Sequence, residues 1–426
     1  MHIAIIGGGI AGVTLAIALH HRNLSVTLYE QAGEFSEVGA GVSFSPNAVQ
    51  AMRLCHEGIH GAFERVCTRN LWPSKQNVWF DYLDGLSTEG KRQPIRFTIS
   101  NSLGQNGVHR AHFLDELVKL LPDHVAQFNK RLDTIEKKEA DGEDGRLRLS
   151  FTDGSFATAD LVIGCDGIKS RVRQILLGDA HPAAKPGYTH KYAYRGLVPM
   201  EKAVEAIGEE LASNACMHIG PKNHMLTFPV NQGKTLNIVA FHSSQDEWKE
   251  YPRLTRMGTR DEALADFHAF GENVTRLLKL TDEQLSVWAI FDLADHPVPF
   301  FSKDRICIAG DAAHATSPHH GAGAGFCLED SAVLAALLAD GSVRSHAHIK
   351  VALAVYDDLR RERAHWLVQS SRFMGNGYQC MADGVGSDLG KLEAEINRRN
   401  AIIADFDVEA LCRDATAELA SRLSSL

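Results

Sequence analysis

A glycine-rich turn between two short apolar segments constrains the fold of this 426-residue chain more strongly than any other feature. Residues 3–6 predict a buried strand, and after a helical segment a second strand follows that ends at Glu30. The first strand runs into a G-x-G-x-x-G sequence formed by Gly7, Gly9 and Gly12. Such glycines permit a tight turn, close approach of the backbone to a pyrophosphate and close helix packing, while the carboxylate accepts hydrogen bonds from ribose hydroxyls. The unit therefore predicts a dinucleotide-binding site, and the alternative is a glycine-rich turn in an ordinary α/β domain.

Size and composition favour a soluble globular protein with more than one lobe. A chain of this length is too long for one small core, which predicts two or three closely joined lobes. Hydrophobic residues make up 44% and charged residues 23% of the sequence, as is typical of soluble domains. The formal net charge of −9 argues against a nucleic acid partner, because a protein that binds the phosphate backbone needs a basic face.

The cysteines and the apolar segments indicate the compartment. Eight cysteines are scattered without a C-x-x-C pair, which favours free thiols in a reducing compartment over disulfides or a zinc site. The first predicted strand begins at residue 3 and leaves no room for a secretion signal, and the apolar stretch at 332–339 is too short to span a bilayer. We therefore expect a cytoplasmic protein without a membrane span or a bound metal, and a monomer and a homodimer both remain open.

Buried-strand patterns return far along the chain and indicate a nucleotide-binding fold whose strands are split. Residues 161–164 and 306–309 repeat the short apolar pattern, alternating segments between 185 and 295 suggest a larger antiparallel sheet, and the pattern is helical from about 325. The predicted fold class is mixed α/β, with a Rossmann-like domain, an antiparallel-sheet substrate domain and C-terminal helices. The predicted boundaries are 1–184 for the first part of the nucleotide-binding domain with a β-hairpin at 147–159, 185–295 for the substrate domain, 296–375 for the second part of the nucleotide-binding domain and 376–426 for a C-terminal helical segment.

Three local patterns give further predictions. A second glycine-rich turn, at 37–43, runs into a helix with Asn47 as its N-cap. Residues 137–146 predict a charged, solvated loop. Alternating arginine and glutamate at 359–363 indicate a solvated helix face.

Two more motifs make the sequence much more specific. The first is Cys165-Asp166-Gly167-Ile-Lys-Ser170-Arg171-Val-Arg173, and the second runs from Gly310-Asp311 through His314 and Pro318 to Gly321-Ala-Gly323. Together with the amino-terminal glycines they resemble the single-component flavin-dependent aromatic hydroxylases, a family that includes salicylate hydroxylase and 4-hydroxybenzoate hydroxylase. The resemblance covers nearly the whole chain, and the segments 190–199 and 218–230 are most similar to fungal enzymes of the salicylate hydroxylase type.

The resemblance implies a flavoprotein monooxygenase. It implies FAD bound without a covalent link, reduction by NADH or NADPH, and O2 as co-substrate. A flavin C4a-hydroperoxide would then deliver one oxygen atom to an electron-rich aromatic ring. No separate Rossmann domain for the reductant is visible in the sequence, in agreement with the family.

The resemblance also assigns cofactor contacts beyond the first turn. Asp311 would bind the ribityl chain or ribose of FAD. Arg110 would contact the flavin or its phosphates, with a surface arginine as the alternative, and Ser43 would contact FAD through its backbone. Asp166 has either a cofactor role or an indirect one, in which it orders its turn and Arg173. The residues expected to run past the isoalloxazine, where backbone N–H groups can stabilise the reduced ring, are Pro318, Gly321, Gly323 and Ala324.

Arg195 and Phe228 give the main expectations for the substrate. Arg195 lies in an otherwise apolar alternating strand, where a buried arginine needs an anionic or polar partner. In the resembling enzymes the matching arginine lies beside flavin and substrate, and the alternative is a structural salt bridge. Phe228 stands where some polyketide-phenol hydroxylases carry a tyrosine, and its ring cannot hydrogen-bond a substrate oxygen. It therefore favours an apolar wall for a small ring.

Histidines near the site can accept a phenol proton near neutral pH, whereas His314 is interpreted as part of the loop scaffold. Which histidine acts as the base remains open. The predicted catalytic residues are Arg195, His218 and His320, and the predicted substrate pocket contains Arg195, His224, Phe228, Pro318 and His319.

The expected activity is hydroxylation of a small aromatic substrate. The resemblance favours conversion of salicylate to catechol with loss of CO2, through attack at the carboxyl-bearing carbon. The alternatives are the same chemistry on a larger polyketide-type phenol, a flavoprotein oxidase or dehydrogenase without oxygen insertion, and a degenerate FAD-binding protein without activity. The choice between NADH and NADPH stays open.

Overall fold

The computed structural model describes residues 1–36, 41–137 and 145–426. The second glycine-rich turn and the charged loop therefore lie partly outside the described residues. The strands are β1 (His2–Ile6), β2 (Ser25–Tyr29), β3 (Gly41–Val42), β4 (Thr68–Arg69), β5 (Val78–Asp84), β6 (Phe97–Ser100), β7 (Asn106–His109), β8 (Ala126–Gln127), β9 (Leu132–Lys137), β10 (Leu147–Phe151), β11 (Phe156–Ala159), β12 (Leu161–Gly164), β13 (Gly187–Pro199), β14 (Cys216–Gly220), β15 (Asn223–Val230), β16 (Thr235–Ser243), β17 (Thr255–Thr259), β18 (Gln284–Asp292), β19 (Ser302–Lys303) and β20 (Ile306–Ile308).

Helices connect and cover these strands. The α-helices are α1 (Ile10–His20), α2 (Pro46–Cys55), α3 (Glu57–Val66), α4 (Arg110–Val118), α5 (Arg171–Leu177), α6 (Met200–Ile207), α7 (Glu209–Ala212), α8 (Arg260–Asp266), α9 (Glu272–Lys279), α10 (Asp311–His314), α11 (Gly323–Leu338), α12 (His346–Gly377), α13 (Leu389–Ala404) and α14 (Val408–Leu423). From α11 onward the described chain is predominantly helical, as the sequence predicts.

A six-stranded sheet forms the centre of the nucleotide-binding part, in the order β19-β20-β12-β1-β2-β8. Strand β1 pairs in parallel with both β12 and β2, and β12 pairs in parallel with β20. Ile3, Ala4 and Ile5 are fully buried because both faces of the sheet are covered: helix α1 packs on β1 and β2, and the three-stranded sheet β11-β10-β9 contacts β1 through β11. The prediction that strands from three distant segments form one nucleotide-binding sheet is confirmed.

An eight-stranded sheet forms the second layer, in the order β17-β18-β13-β16-β15-β14-β5-β6. Its pairs are antiparallel except β14 with β5. One face packs on α6, α8 and α9 through a core that includes Ala203, Ala263 and Leu277. Strands β5 and β6 come from the first 184 residues, so the sheet extends beyond the 185–295 segment in which the sequence places the substrate domain.

Two local predictions are wrong. Helix α2 begins at Pro46 with Ser45 as its N-cap, while the buried Asn47 side chain donates instead to Glu329 at 2.6 Å. The arginine and glutamate run at 359–363 is not a solvated face, since Arg360 is fully buried and pairs with Glu329 and Asp330 on α11. The spacing of charged residues along one helix does not show whether carboxylates on a neighbouring helix form ion pairs with them.

The described residues also bear on the expectations for disulfides, membrane spans and metal sites. All eight cysteines are unpaired. Among the described residues, no helix combines the length and apolar character needed to cross a bilayer. The same residues contain no group of three or more His, Cys, Asp or Glu side chains placed to hold a metal ion.

Candidate active site

The first glycine turn forms a cradle that only glycine permits. Gly7 has φ +106°, and a Cβ atom there would lie 2.5 Å from the Cys165 carbonyl oxygen. A Cβ atom at Gly12 would lie 2.0 Å from the Gly7 carbonyl oxygen. Gly9 caps α1 without a side-chain hydrogen bond, which leaves the first N–H groups of the helix open. The turn can therefore receive an anionic diphosphate at a helix N-terminus.

Glu30 is fixed at the end of β2 by the same turn. Its Oε2 accepts the Gly8 N–H at 2.6 Å, and its Oε1 accepts the Ala32 N–H at 2.7 Å. A carboxylate offers about four acceptor positions, so each oxygen keeps a lone pair for a sugar hydroxyl.

The turn that carries Asp311 lies against the start of α1, although the two are far apart in the sequence. Gly310 has φ +62°, and a Cβ atom there would lie 3.0 Å from the Ala11 side chain at the start of α1. Asp311 then opens α10. The structure thus brings the first and third motifs to one edge of the parallel sheet, where its strands end.

A buried ion network holds the turn that carries Asp311. Asp330 accepts the Gly310 N–H at 2.9 Å, and its carboxylate also pairs with His314 at 2.6 Å and with the Arg360 Nε at 2.8 Å. Burial raises the pKa of Asp330, but the charges of His314 and Arg360 outweigh burial and bring the pKa to about 2. Sequence reasoning missed this network, and its only signal is an adjacent Glu-Asp pair inside the apolar helix α11.

Asp166 organises the second motif. Its carboxylate accepts the Arg171 N–H at 2.6 Å and the Ser170 hydroxyl at 2.5 Å. Arg173 is fully buried and donates to the Ala312 carbonyl at 2.8 Å. Asp166 therefore lies in the turn, and Arg173 lies beneath the Asp311 segment, which is the arrangement that an indirect role requires.

The segment expected beside the isoalloxazine ends in an open helix N-terminus. A 3-10 turn spans Pro318–His320, and Gly321 follows with φ +65°. Ala322 then caps the 16-residue helix α11 without a side-chain hydrogen bond. Gly323 and Ala324 supply the first turn of that helix, so their N–H groups have no acceptor within the helix. An open helix N-terminus of this kind can stabilise negative charge.

His319 and His320 point to different neighbours. His319 is buried with its ring centroid 5.0 Å from that of Phe241 on β16. His320 contacts the Ser370 hydroxyl at 2.8 Å on α12, and burial with the charge of Arg399 lowers its pKa to about 3. The structure places His319 against the eight-stranded sheet and His320 against the C-terminal helices.

Arg195, His224 and Phe228 share the sheet face that His319 contacts. Phe241 of β16 pairs with His224 on one side and with Ala193 on the other. Since side chains two apart on a strand share a face, Arg195 and Phe228 lie on that same side. The rings of His224 and Phe241 stack at 4.5 Å.

His218 is on the opposite face of the sheet. It pairs with Met225 and Leu83, both of which belong to the core beneath the helices. Burial lowers its pKa to about 4, and neither ring nitrogen has a hydrogen-bond partner. The structure thus does not bring His218 together with Arg195, because the register of β14 places the His218 side chain on the other face of the sheet.

Arg195 has an unusual electrostatic position. Its guanidinium lies 4.6 Å from the Trp288 ring centroid, and its Nε is buried without a hydrogen-bond partner. Burial and the positive charge of Arg110 lower its pKa to about 10. No carboxylate within residues 1–36, 41–137 and 145–426 forms an ion pair with it, so the salt-bridge alternative is not seen there. Sequence reasoning missed Trp288.

Strands β3 and β7 join the two parts of the site. In this antiparallel ladder Gly41 pairs with His109 and Val42 with Val108, so Ser43 continues from one end of the ladder and Arg110 from the other. A Cβ atom at Gly41 would lie 2.7 Å from the Phe228 ring, so Phe228 packs directly on this ladder as an apolar wall.

Known proteins resemble the chain over its whole length. A family model described as an FAD binding domain matches residues 1–371. The FAD-dependent monooxygenase orf3 of Aspergillus niger is 44% identical over 100% of this chain and 98% of that protein. The 6-methylsalicylate 1-monooxygenase atA of Aspergillus terreus is 40% identical over 99% of this chain and 94% of that protein. A solved salicylate hydroxylase substrate complex has a TM-score of 0.85 and 35% identity, covering 97% of this chain and 98% of that one.

Proposed function

Since this chain belongs to the FAD-dependent monooxygenases of the salicylate hydroxylase type, we propose that it hydroxylates a small phenolic acid with NADH or NADPH as the reductant and O2 as co-substrate. The favoured reaction is conversion of salicylate, or a close relative, to a catechol with loss of CO2. The single observation that carries the proposal is Arg195, a cation beside the site without a paired carboxylate among the described residues.

The residues of the site fit FAD. The cradle at Gly7 and Gly12 has no room for a Cβ atom, and the open N-terminus of α1 would receive the diphosphate. Glu30 and Asp311 would accept hydroxyl hydrogen bonds from the sugar and ribityl groups. The contact roles expected from the sequence would be filled by Arg110, Ser43 and the 318–324 segment. Asp166 would act indirectly, through Arg173. Bound FAD would supply the transfer of electrons from the reductant and the activation of O2.

Arg195 would hold the carboxylate or phenolate of the substrate. A guanidinium binds a carboxylate through two parallel hydrogen bonds, and a partly desolvated pair is stronger than one in water. Arg110 adds a second positive charge nearby, which lowers the pKa of Arg195 and would favour an anionic ligand in the same way. An ionised phenol is the more nucleophilic ring, so this field would also favour the reacting form.

His224 and His319 would accept a hydrogen bond from a hydroxyl of the substrate ring. Burial, with the charges of neighbouring basic groups, holds the pKa of both imidazoles well below the ordinary value, so both are neutral near pH 7. A neutral imidazole offers one acceptor nitrogen. Phe228 and Phe241 would exclude water from the ring, which limits the loss of the reactive oxygen as H2O2.

The experiment is a substrate panel with purified holoenzyme. Consumption of NADH and NADPH is followed against product formation for salicylate, 6-methylsalicylate, 4-hydroxybenzoate and larger phenols. The proposal expects salicylate-dependent oxidation of the reductant coupled to catechol and CO2. Turnover only with larger phenols would favour the polyketide-type alternative, and oxidation with H2O2 as the sole product would favour an oxidase.

The same panel, run with the variant Arg195→Met, tests the role of Arg195. The variant should retain FAD and lose coupled hydroxylation of phenolic acids. Unchanged turnover of salicylate by Arg195→Met would contradict the role of Arg195.

A further inference from the structure

A second cationic side chain, Lys191, lies on the same strand face as Arg195. Lys191 is 4% exposed, and its Nζ donates to the Ser243 hydroxyl at 2.8 Å and to the Gln379 side-chain oxygen. An ammonium has three donors, so one N–H remains after these two contacts. Burial and the charge of Arg372 lower the pKa of Lys191 to about 8, which leaves it mainly protonated at neutral pH.

Unpartnered polar atoms surround Lys191. Both ring nitrogens of His224, both of His319 and the Nε2 of Gln379 are buried without a hydrogen-bond partner. The ring centroids of His224 and His319 lie 5.2 Å apart, and the charge of Lys191 contributes to the low pKa of both histidines, so the three side chains share one compartment. Buried polar atoms are nearly always satisfied by protein, water or ligand, so these five atoms form a site that polar ligand atoms or ordered water would occupy.

An apolar floor separates the two cations. Lys191 pairs with Ser243 and Arg195 with Val239, and Ala193 pairs with Phe241 between them. The register of β13 on β16 is unbroken over this stretch, so the Cα atoms of the two cations are about 13 Å apart along the strand. Two long basic side chains at that spacing can reach the opposite ends of one aromatic ring that lies on the floor.

We propose that Lys191, Gln379, His224 and His319 form a second polar subsite, which binds an acidic hydroxyl on the ring at the end opposite to the group held by Arg195. The preferred substrate class is then a phenolic acid with an additional hydroxyl para to its carboxylate. The inference rests on the proposed function, and it adds Lys191 and Gln379 as residues that determine specificity.

Two ligands that differ by one hydroxyl test this directly. Salicylate and 2,4-dihydroxybenzoate share the carboxylate and the adjacent phenol, and the second adds a hydroxyl para to the carboxylate. Binding to oxidised holoenzyme is measured by the change in flavin absorbance, without reductant, so the readout does not depend on turnover. The variants are Lys191→Met and Gln379→Met, and the matched control is Lys234→Met, an exposed lysine in the turn between β15 and β16.

The wild type should bind 2,4-dihydroxybenzoate at least about tenfold more tightly than salicylate, since a hydrogen bond to a charged group has about that effect. Lys191→Met should remove this difference while salicylate affinity changes less than threefold, and Lys234→Met should change neither. Gln379→Met should reduce the same preference, and it carries the test if Lys191→Met does not fold.

Equal affinity of the wild type for the two ligands, or a preference that survives both variants, would overturn the subsite. A wild type that retains FAD but binds neither ligand would instead overturn the proposed function and the subsite with it. The two failures are therefore distinguishable by salicylate binding alone.

Discussion

Replacing Arg195 with Met should stabilise the fold while it weakens substrate binding. Burial and the charge of Arg110 lower the pKa of Arg195 from 12.5 to about 10. At about 1.4 kcal/mol per tenfold change in proton affinity, the folded state disfavours the guanidinium charge by roughly 3 kcal/mol. The lost contact with Trp288 removes about 1 kcal/mol of this gain, and solvent screening of the partly exposed side chain removes more. A net stabilisation of about 1 kcal/mol remains.

The assay compares thermal unfolding and salicylate binding of the two holoenzymes at equal FAD saturation. Arg195→Met should raise Tm by about 1–2 °C and weaken salicylate binding by at least about 30-fold, as expected when one partner of a desolvated charge pair is removed. Arg173→Met is the control, because Arg173 is buried but donates to backbone carbonyls such as Ala312. That variant should be destabilised by about 1–3 kcal/mol. If Arg195→Met instead loses about 3–5 kcal/mol, Arg195 has a structural anion and the reasoning is refuted.

Three more predictions concern the cofactor side of the site. Arg360→Met should lower the free energy of unfolding by about 3–5 kcal/mol in denaturant titrations, since it leaves two buried carboxylates with fewer partners, and a loss below about 1 kcal/mol would contradict the ion network. Gly12→Ala should give protein that loses FAD on gel filtration, because the added Cβ would lie 2.0 Å from the Gly7 oxygen, and a normal flavin content would argue against the cradle. The pKa of Asp330 is about 2 in the fold against an ordinary 3.8, so its stabilising contribution is complete above about pH 4 and is lost as the pH falls towards 2. The free energy of unfolding, measured across that pH range, should decline more steeply for the wild type than for Asp330→Asn. Parallel profiles would show that ionised Asp330 does not contribute to stability.

The parallel sheet could be predicted because each of its central strands carries its own signal. Strand β12 has the predicted bounds, β1 begins one residue earlier than predicted, and β2 ends at Tyr29, directly before Glu30. A strand buried on both faces is a continuous apolar run, and glycine or aspartate marks where it ends. The hairpin of β10 and β11 was equally visible, because Asp153-Gly154 separates two alternating segments.

Features that depend on pairing between distant segments could not be predicted. His218 and His224 lie on strands of the same sheet, but only the register of β14 on β15 shows that they face opposite sides. Arg360 looks solvated in the sequence because its partners, Glu329 and Asp330, lie on another helix. The contact of Arg195 with Trp288 likewise arises from the pairing of β13 with β18. Local patterns contain the period of a strand or helix, whereas these contacts are set by tertiary packing.

Turnover under labelled oxygen tests the central claim most directly. The purified holoenzyme is incubated with salicylate, NADH or NADPH, and 18O2, and the product is analysed by mass spectrometry together with released CO2. We predict catechol that contains one 18O atom, formed in proportion to the reductant consumed and to the CO2 released. Consumption of reductant with H2O2 and no labelled aromatic product, for salicylate and every other phenolic acid tested, would contradict it.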